Sequence, residues 1–280
     1  MEPAKKKGIL FDSTICVGCG ACYQACKERN HLPQTTNDIF RDELSALTYT
    51  ALKRRNGRFV RQLCMNCVDP ACVSVCPVGA LEKSQLGPVF YHPERCIGCR
   101  YCMLACPFSI PKYEWDKLLP LIRKCDMCFD RVAAGLPTAC AEACPTGATK
   151  FGEREQLIEE ARARIRGGNP KYVDYIYGLE EAGGTSVLLI SDAPMGTLGY
   201  RTNLGKEPLP QLTWHVLQKI PSFVVLLGVL LGGIWWITNR RAEVQRAEAE
   251  RKARESEKLK PEEPRIGQKV LGWLGRFFGR

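Results

Sequence analysis

The chain has 280 residues, a net charge of +10 and sixteen cysteines. That length holds one or two compact domains with appendages. The positive charge is spread out and part of it lies in the C-terminal tail, with no aromatic-interleaved basic patch, so nucleic acid is not an expected partner.

Residues 1–10, MEPAKKKGIL, form a short basic lead with no apolar core and no twin-arginine pair, and are read as something other than a signal peptide. The first cysteine group follows as CVGCGACYQAC: Cys16, Cys19, Cys22 and Cys26. Residues 31–60 are a polar insertion without cysteine. Within this stretch and just beyond it, LSALTYTALKRR and GRFVRQL are expected as strands around a turn at Asn56-Gly57. The second group is Cys64, Cys67, Cys72 and Cys76, and the third is Cys96, Cys99, Cys102 and Cys106. The fourth is spread wider: Cys125, Cys128, Cys140 and Cys144. EREQLIEEARARI (153–165) has helical periodicity, with Leu157, Ile158, Ala161 and Ile165 on one face, and SVLLIS (186–191) is a candidate strand.

Four groups of four leave no cysteine over, which fits four cubane iron–sulfur clusters with four thiolates each. Three cysteines two residues apart curl around one face of a cubane, with backbone N–H groups directed at its sulfides. The fourth, usually followed by Pro, faces the other cluster of a pair. Gly18, Gly20 and Gly98 stand between ligands, where a side chain would hinder the approach of backbone to sulfur. Structural zinc would use two Cys-x-x-Cys pairs per ion and does not account for the triple register. A disulfide framework belongs to small secreted domains, and cysteines at x-x spacing pair poorly with one another. The cysteine-rich half is loop-like, so clusters would supply its cohesion, and the apo-protein is expected to be largely disordered up to about residue 150.

Proximity pairs the second group with the third. One cluster would then be held by Cys64, Cys67, Cys72 and Cys106, and its partner by Cys96, Cys99, Cys102 and Cys76. The outer pair would be Cys16, Cys19, Cys22 with Cys144, and Cys125, Cys128, Cys140 with Cys26. Consecutive pairing, first with second and third with fourth, stays open on spacing alone. Arg100, Lys112, Lys124 and Arg131 lie near ligands in sequence and would offset cluster charge, or are ordinary solvated charges. His31, His92 and His215 are isolated and read as surface or packing residues, with His215 beside Trp214 a weaker candidate for touching a partner's haem or quinone. Asp69 and Asp126, next to ligands, read as backbone caps. No catalytic constellation and no nucleotide fingerprint is present.

Between Lys219 and Arg240 run twenty uncharged residues, IPSFVVLLGVLLGGIWWITN, about 30 Å as a helix and so long enough for a single transmembrane span. Trp235 and Trp236 suit an interface, Gly228 and Gly232 share a face open to another helix, and Pro221 fits the first turn. Arg240, Arg241 and Arg246 follow the span whereas Lys219 alone precedes it closely, which places the charged tail in the cytoplasm and the cysteine-rich part on the opposite side. Residues 266–280, IGQKVLGWLGRFFGR, are a candidate membrane-surface segment or docking terminus.

The runs CMNCVDPACVSVCPVGAL, CIGCRYCMLACPFSIPKYEW and KCDMC…ACAEACPTGATKFG resemble the four-cluster ferredoxin-type subunits of membrane-bound oxidoreductases. Within that family they look most like the β subunit of respiratory formate dehydrogenase and the membrane-anchored iron–sulfur subunit of uptake nickel–iron hydrogenase. The resemblance covers residues 9–192 and extends to the anchor at 220–238. It implies an α+β fold of two nested ferredoxin-like two-cluster units with a single C-terminal transmembrane helix. The outer unit would comprise 1–60 and 112–192, the inserted inner unit 61–111, the linker 193–219, the anchor 220–238 and the charged tail 239–280. It implies four [4Fe-4S] clusters, a catalytic large subunit of molybdopterin, tungstopterin or nickel–iron type, and an integral quinone-reactive membrane subunit. It also implies an inner-membrane location with the cluster domain periplasmic, since relatives can be exported with a signal-bearing partner. Some relatives replace one ligand by Trp; here every such position is Cys. Two departures stand out: Lys27 follows Cys26 where Pro is usual, and Val68–Ala71 widens the second group. The expected role is electron relay without catalysis. The rival is a structural tether whose metal sites only hold the fold.

Overall fold

The computed structural model describes residues 5–168 and 171–259. The segment 266–280 therefore lies outside the described residues. The chain divides into two compact units at Val216/Leu217.

In the first unit, strand β1 (Lys7–Asp12) leads into helix α1 (Ala21–Arg29), then the hairpin β2 (Thr50–Arg55) and β3 (Arg58–Leu63). The short elements α2 (Ala71–Ser74), β4 (Leu81–Lys83), β5 (Val89–Tyr91), α3 (Tyr101–Ala105), β6 (Lys112–Tyr113) and β7 (Ile122–Arg123) follow. Then come α4 (Phe129–Ala133), α5 (Ala139–Glu142), β8 (Thr149–Glu153), α6 (Arg154–Gly167), β9 (Val187–Ile190) and α7 (Leu209–Leu217).

The expected hairpin forms, with Arg55 opposite Arg58 and both Asn56 (φ 47°) and Gly57 (φ 72°) left-handed, as a two-residue turn requires. Its first strand begins at Thr50, because Ser45 and Thr48 bridge each other in a tight turn just before it. β3 runs across residues 60 and 61.

A three-stranded sheet in the order β8-β1-β9 gathers the two ends of the cysteine-rich region. β1 pairs antiparallel with β8 and parallel with β9. Both faces of β1 are covered, so it reads as an apolar run rather than an alternation. Leu10 faces Leu157, Ile158 and Ala161 of α6, which is the helix face expected from periodicity. Ile9 and Phe11 face the opposite way, into a core that also contains Val60, Leu63, Met127, Tyr177 and Cys140. Each such aliphatic side chain contributes about 1.5–3 kcal/mol on burial. Arg164 ties α6 to the sheet by donating to Asp12, which is fully buried, at 2.8 Å. Met195 and Leu198 also reach the core.

The second unit is dominated by α8 (Ile220–Lys258), 39 residues. The helix does not stop at the charge boundary after Asn239; it continues unbroken through the Arg- and Glu-rich tail. Its first half is long and apolar enough to cross a membrane, and none of its residues is buried against protein. That is the surface expected of a helix whose solvent is lipid.

Candidate metal centres

All sixteen cysteines are free thiols, and the elements that carry them repeat one local plan. Each group opens on a loop cysteine, and the residue two positions on is left-handed: Gly18 (φ 70°), Asn66 (φ 47°), Gly98 (φ 70°) and Met127 (φ 55°). The turn aims its N–H back at sulfur, from Gly98 to Cys96 Sγ and from Met127 to Cys125 Sγ, both at 3.4 Å. The third cysteine then stands at the second position of a helix in every group: Cys22 in α1, Cys72 in α2, Cys102 in α3 and Cys140 in α5. The free N–H groups of a first helical turn favour a negative thiolate there.

The three Cys-Pro sites close in the same turn. The N–H of Gly79, Ser109 and Gly147 returns to the carbonyl of Cys76, Cys106 and Cys144 at 3.3, 3.1 and 3.4 Å. All three turn residues have positive φ. Ala80 N–H then lies 3.2 Å from Cys76 Sγ, and Thr149 N–H 3.3 Å from Cys144 Sγ. Burial pushes these two thiols up, but the surrounding donors outweigh it and bring both below the ordinary thiol value.

Cys26 is the exception. It lies within α1, where Asn30 Nδ2 donates to its carbonyl at 2.7 Å and approaches its sulfur at 3.6 Å. Lys27, standing where Pro is usual, turns inward and is 2 % exposed.

Gly18 and Gly20, between ligands, have no room for a side chain against their protein neighbours. A Cβ on Gly18 would lie 2.4 Å from Phe59, and one on Gly20 2.5 Å from Ile39, both at left-handed φ.

The groups do not stay separate. Helix α1 packs on α5 and α2 on α3, so the first group meets the fourth and the second meets the third. The thiols that press on Cys16 are Cys22, Cys144 and Cys19. Those on Cys67 are Cys64, Cys106 and Cys72, those on Cys102 are Cys76, Cys96 and Cys99, and those on Cys26 are Cys140 and Cys128. Between these sets, Cys72 lies near Cys102, Cys125 near Cys64, and Cys22 near Cys140. Cys19 and Cys99 are the two exposed cysteines of the sixteen.

Burial is the largest influence on most of these thiols. It pushes Cys26 and Cys72 up to about 12, and Cys102 and Cys128 to about 11, with neighbouring thiols adding to it. Loading a metal there must therefore release protons. Among the described residues no three of His, Cys, Asp and Glu stand at the spacing of a single metal ion. Sixteen soft thiols in sets of four, with backbone donors already aimed at sulfur, fit cubane clusters instead.

Two family models match, each described as a 4Fe-4S dicluster domain, over residues 8–77 and 55–154. The hydrogenase-2 operon protein HybA of Escherichia coli O157:H7 is 36% identical over 234 residues, covering 68% of this chain and 71% of the relative. The chain belongs to this 4Fe-4S dicluster family of iron–sulfur proteins. The nitrate-inducible formate dehydrogenase iron-sulfur subunit of Escherichia coli K12 is 34% identical over 197 residues, 65% of this chain and 66% of the relative. A protein of Nitratidesulfovibrio vulgaris is 37% identical over 265 residues, 88% of this chain and 71% of the relative. As a dicluster-family protein with two such domains and sixteen cysteines, the chain carries four [4Fe-4S] clusters.

Of the charges singled out in the sequence, Lys124 is buried, donates to the carbonyl of Cys125 at 3.1 Å and acts on Cys72. Arg100 instead covers the rings of Trp115 (5.2 Å) and Tyr113 (5.6 Å), and Arg131 pairs with Glu142 at 2.6 Å. Lys112 lines a cavity with Phe108 and Arg201. His92 bridges Glu82 and Glu94, His31 is exposed at the end of α1, and His215 is exposed in α7. Asp126 caps as expected, accepting the Cys128 N–H at 2.9 Å. Three cations near thiols were not evident from sequence distance: Arg29 acts on Cys128, Lys83 donates to the Cys67 carbonyl at 2.6 Å, and Arg61 is buried beside Cys140 and Cys22. Period-2 alternation in RFVRQL would have flagged Arg61, since it shares a strand face with Leu63.

Proposed function

We propose that this chain is a non-catalytic electron-transfer subunit of a membrane-bound oxidoreductase. It would relay electrons one at a time between a catalytic partner of molybdopterin, tungstopterin or nickel–iron type and a quinone-linked membrane subunit. The supporting relatives are named as a hydrogenase operon protein and formate dehydrogenase iron–sulfur subunits.

The carrying observation is the order of the thiols. Neighbouring thiols support grouping them as Cys76, Cys96, Cys99, Cys102; then Cys64, Cys67, Cys72, Cys106; then Cys26, Cys125, Cys128, Cys140; then Cys16, Cys19, Cys22, Cys144, each group having a thiol near one of the next. We assign each set one cluster, in the nested arrangement of an inner unit (61–111) within an outer one (1–60 and 112–192). An exposed cysteine at each end, and none in the two middle sets, suits a wire with two terminals. When bound, the clusters supply one-electron chemistry; the chain's own residues ligate, bury and space them.

We further propose that α8 anchors the chain once across the inner membrane, with the Arg-rich tail cytoplasmic and the cluster unit periplasmic. Protease added to inverted vesicles, but not to intact spheroplasts, should remove the tail.

Anaerobic redox titration of the complex, followed by electron paramagnetic resonance, tests the relay. Cluster potentials lying between those of donor and quinone are expected. Clusters that cannot be reduced by the donor, in a complex that still assembles on the membrane, would leave the tether reading in its place.

A further inference from the structure

Arg61 heads the fully buried side chains in size and is 1 % exposed. β3 carries it inward. Its Nε donates to Thr50 Oγ1 at 2.9 Å and its Nη1 to Thr149 Oγ1 at 3.2 Å. A guanidinium removed from water this completely ordinarily needs a carboxylate, because a buried charge without a partner is strongly destabilising. Among the described residues no Asp or Glu makes an ion pair with it. The acids on the elements around it are taken elsewhere: Glu43 faces Lys53 at 3.7 Å and Asp12 faces Arg164 at 2.8 Å.

The charge-bearing groups nearest to it are thiols: Cys140, Cys22 and Cys125 stand at the core that Val60 and Leu63 of β3 enter. Burial works against the guanidinium charge, and Cys140, then Cys22 and Cys125, outweigh that and favour it. A further link runs through Thr149: its hydroxyl accepts from Arg61 and its backbone N–H donates to Cys144 Sγ at 3.3 Å. Arg61 thus reaches members of two different sets, Cys22 and Cys144 on one side, Cys140 and Cys125 on the other.

We propose that Arg61 is the shared counter-ion of the two outer cysteine sets, and a positioning residue that raises the reduction potential of both centres they hold. The inference rests on the ligand sets assigned above. Reduction of a centre adds one electron and no proton, so the set becomes more negative by one charge. A fixed cation in a low-dielectric interior stabilises that reduced form more than the oxidised one. Lys124, acting on Cys72, holds the corresponding place for an inner set.

The test is an anaerobic redox titration of the whole membrane complex, poised with dithionite and mediators and read by electron paramagnetic resonance, on wild type, Arg61→Met and Arg61→Lys. In Arg61→Met, the oxidised-to-reduced ratio of both outer centres at a fixed potential should rise at least tenfold, about 59 mV downward for a one-electron couple. The inner two should not move. Arg61→Lys should recover most of the shift, which a purely space-filling role would not predict. If Arg61→Met fails to load, Thr149→Val decides: it frees one end of the guanidinium, keeps the Thr149 N–H, and should lower the outer potentials alone, by less. Unchanged outer potentials, or equal shifts in all four, would overturn the proposal. Wild-type complex lacking two of the four signals would instead overturn the ligand assignment, whatever Arg61 does.

Discussion

Lys27 Nζ donates to the carbonyl of Leu47 at 3.1 Å, although the two residues belong to the helix and to the middle of the insertion that follows it. The same ammonium shares its three N–H donors with Pro33 O (2.8 Å), Thr35 Oγ1 (3.0 Å) and Thr48 Oγ1 (3.2 Å) as well, and stands 3.8 Å from Asp42. A residue that breaks the Cys-Pro pattern therefore pins residues 33–48 against α1. Lys27→Met would leave buried carbonyls without a donor and Asp42 without its counter-charge, and should cost about 3–5 kcal/mol. Amide hydrogen exchange should rise across 31–48 while the inner region, 64–106, keeps its protection.

Asp42 gives this pin a pH dependence. Burial works against its carboxylate, but hydrogen bonds from Thr35, Tyr23 and Thr48, with the Lys27 charge, outweigh it and hold the folded pKa below the ordinary value. A depressed folded pKa contributes stability that is fully present above the unfolded value, about 3.9, and is lost as pH falls through the folded one. The protection difference between wild type and Asp42→Asn in 31–48 should thus be full at neutral pH and shrink below about pH 4. A brief exchange pulse at each pH measures it. A difference that grows on acidification would contradict the sign.

The nested assignment makes a paired prediction. Cys26→Ser and Cys125→Ser should alter the same paramagnetic signal, because Cys26 lies among Cys140, Cys128 and Cys125. Cys106→Ser should join Cys64→Ser in the same way. Each should lower iron below the roughly sixteen per chain that four cubanes require. If Cys26→Ser instead altered the signal affected by Cys64→Ser, consecutive pairing would replace nesting.

Two glycines with the same backbone conformation should respond differently. Gly18 has φ 70° and a Cβ there meets the Phe59 ring at 2.4–2.6 Å, whereas Gly79 has φ 60° and open space. Gly79→Ala should cost only the left-handed penalty, about 1–2 kcal/mol. Gly18→Ala adds a clash with a packed ring and should lose the signal of the Cys16 set. Thermal melts of holoprotein with spectra of each variant separate the two.

The cysteine register, the Asn56-Gly57 hairpin, the α6 face and the apolar span were all legible because each follows a local period or a turn with few solutions. What resisted reading depended on contacts far apart in sequence. β1 pairs with β9 across some 180 residues, as Ile9 with Val187, and no local pattern announces a partner at that distance. Lys27 read as a departure from Cys-Pro because its carbonyl partners carry no side-chain signature. Arg61 lies three residues before Cys64 yet serves thiols of the first and fourth groups, so distance along the chain pointed to the wrong cysteines. At Gly18 and Gly20 a side chain would also meet Phe59 and Ile39 of the insertion, an obstacle that spacing cannot reveal.

α8 offers the last prediction, because its two halves should differ in the same substitution. Leu226 and Leu230 are 70% and 56% exposed in the apolar half, and Val244, at 42%, lies beyond the charge boundary. If the first half sits in lipid, an arginine there costs about 2.5–3.5 kcal/mol near the centre, and a second adds to it. Leu226→Arg with Leu230→Arg should move the full chain out of the carbonate-resistant membrane fraction when it is expressed without its membrane partner. Val244→Arg, in a stretch already rich in Arg and Glu, should leave that fraction unchanged. Equal retention of both variants would mean that something other than insertion of α8 holds the chain to the membrane. The apolar half of this helix, about 59 Å long in all, would then be a face that another protein must cover.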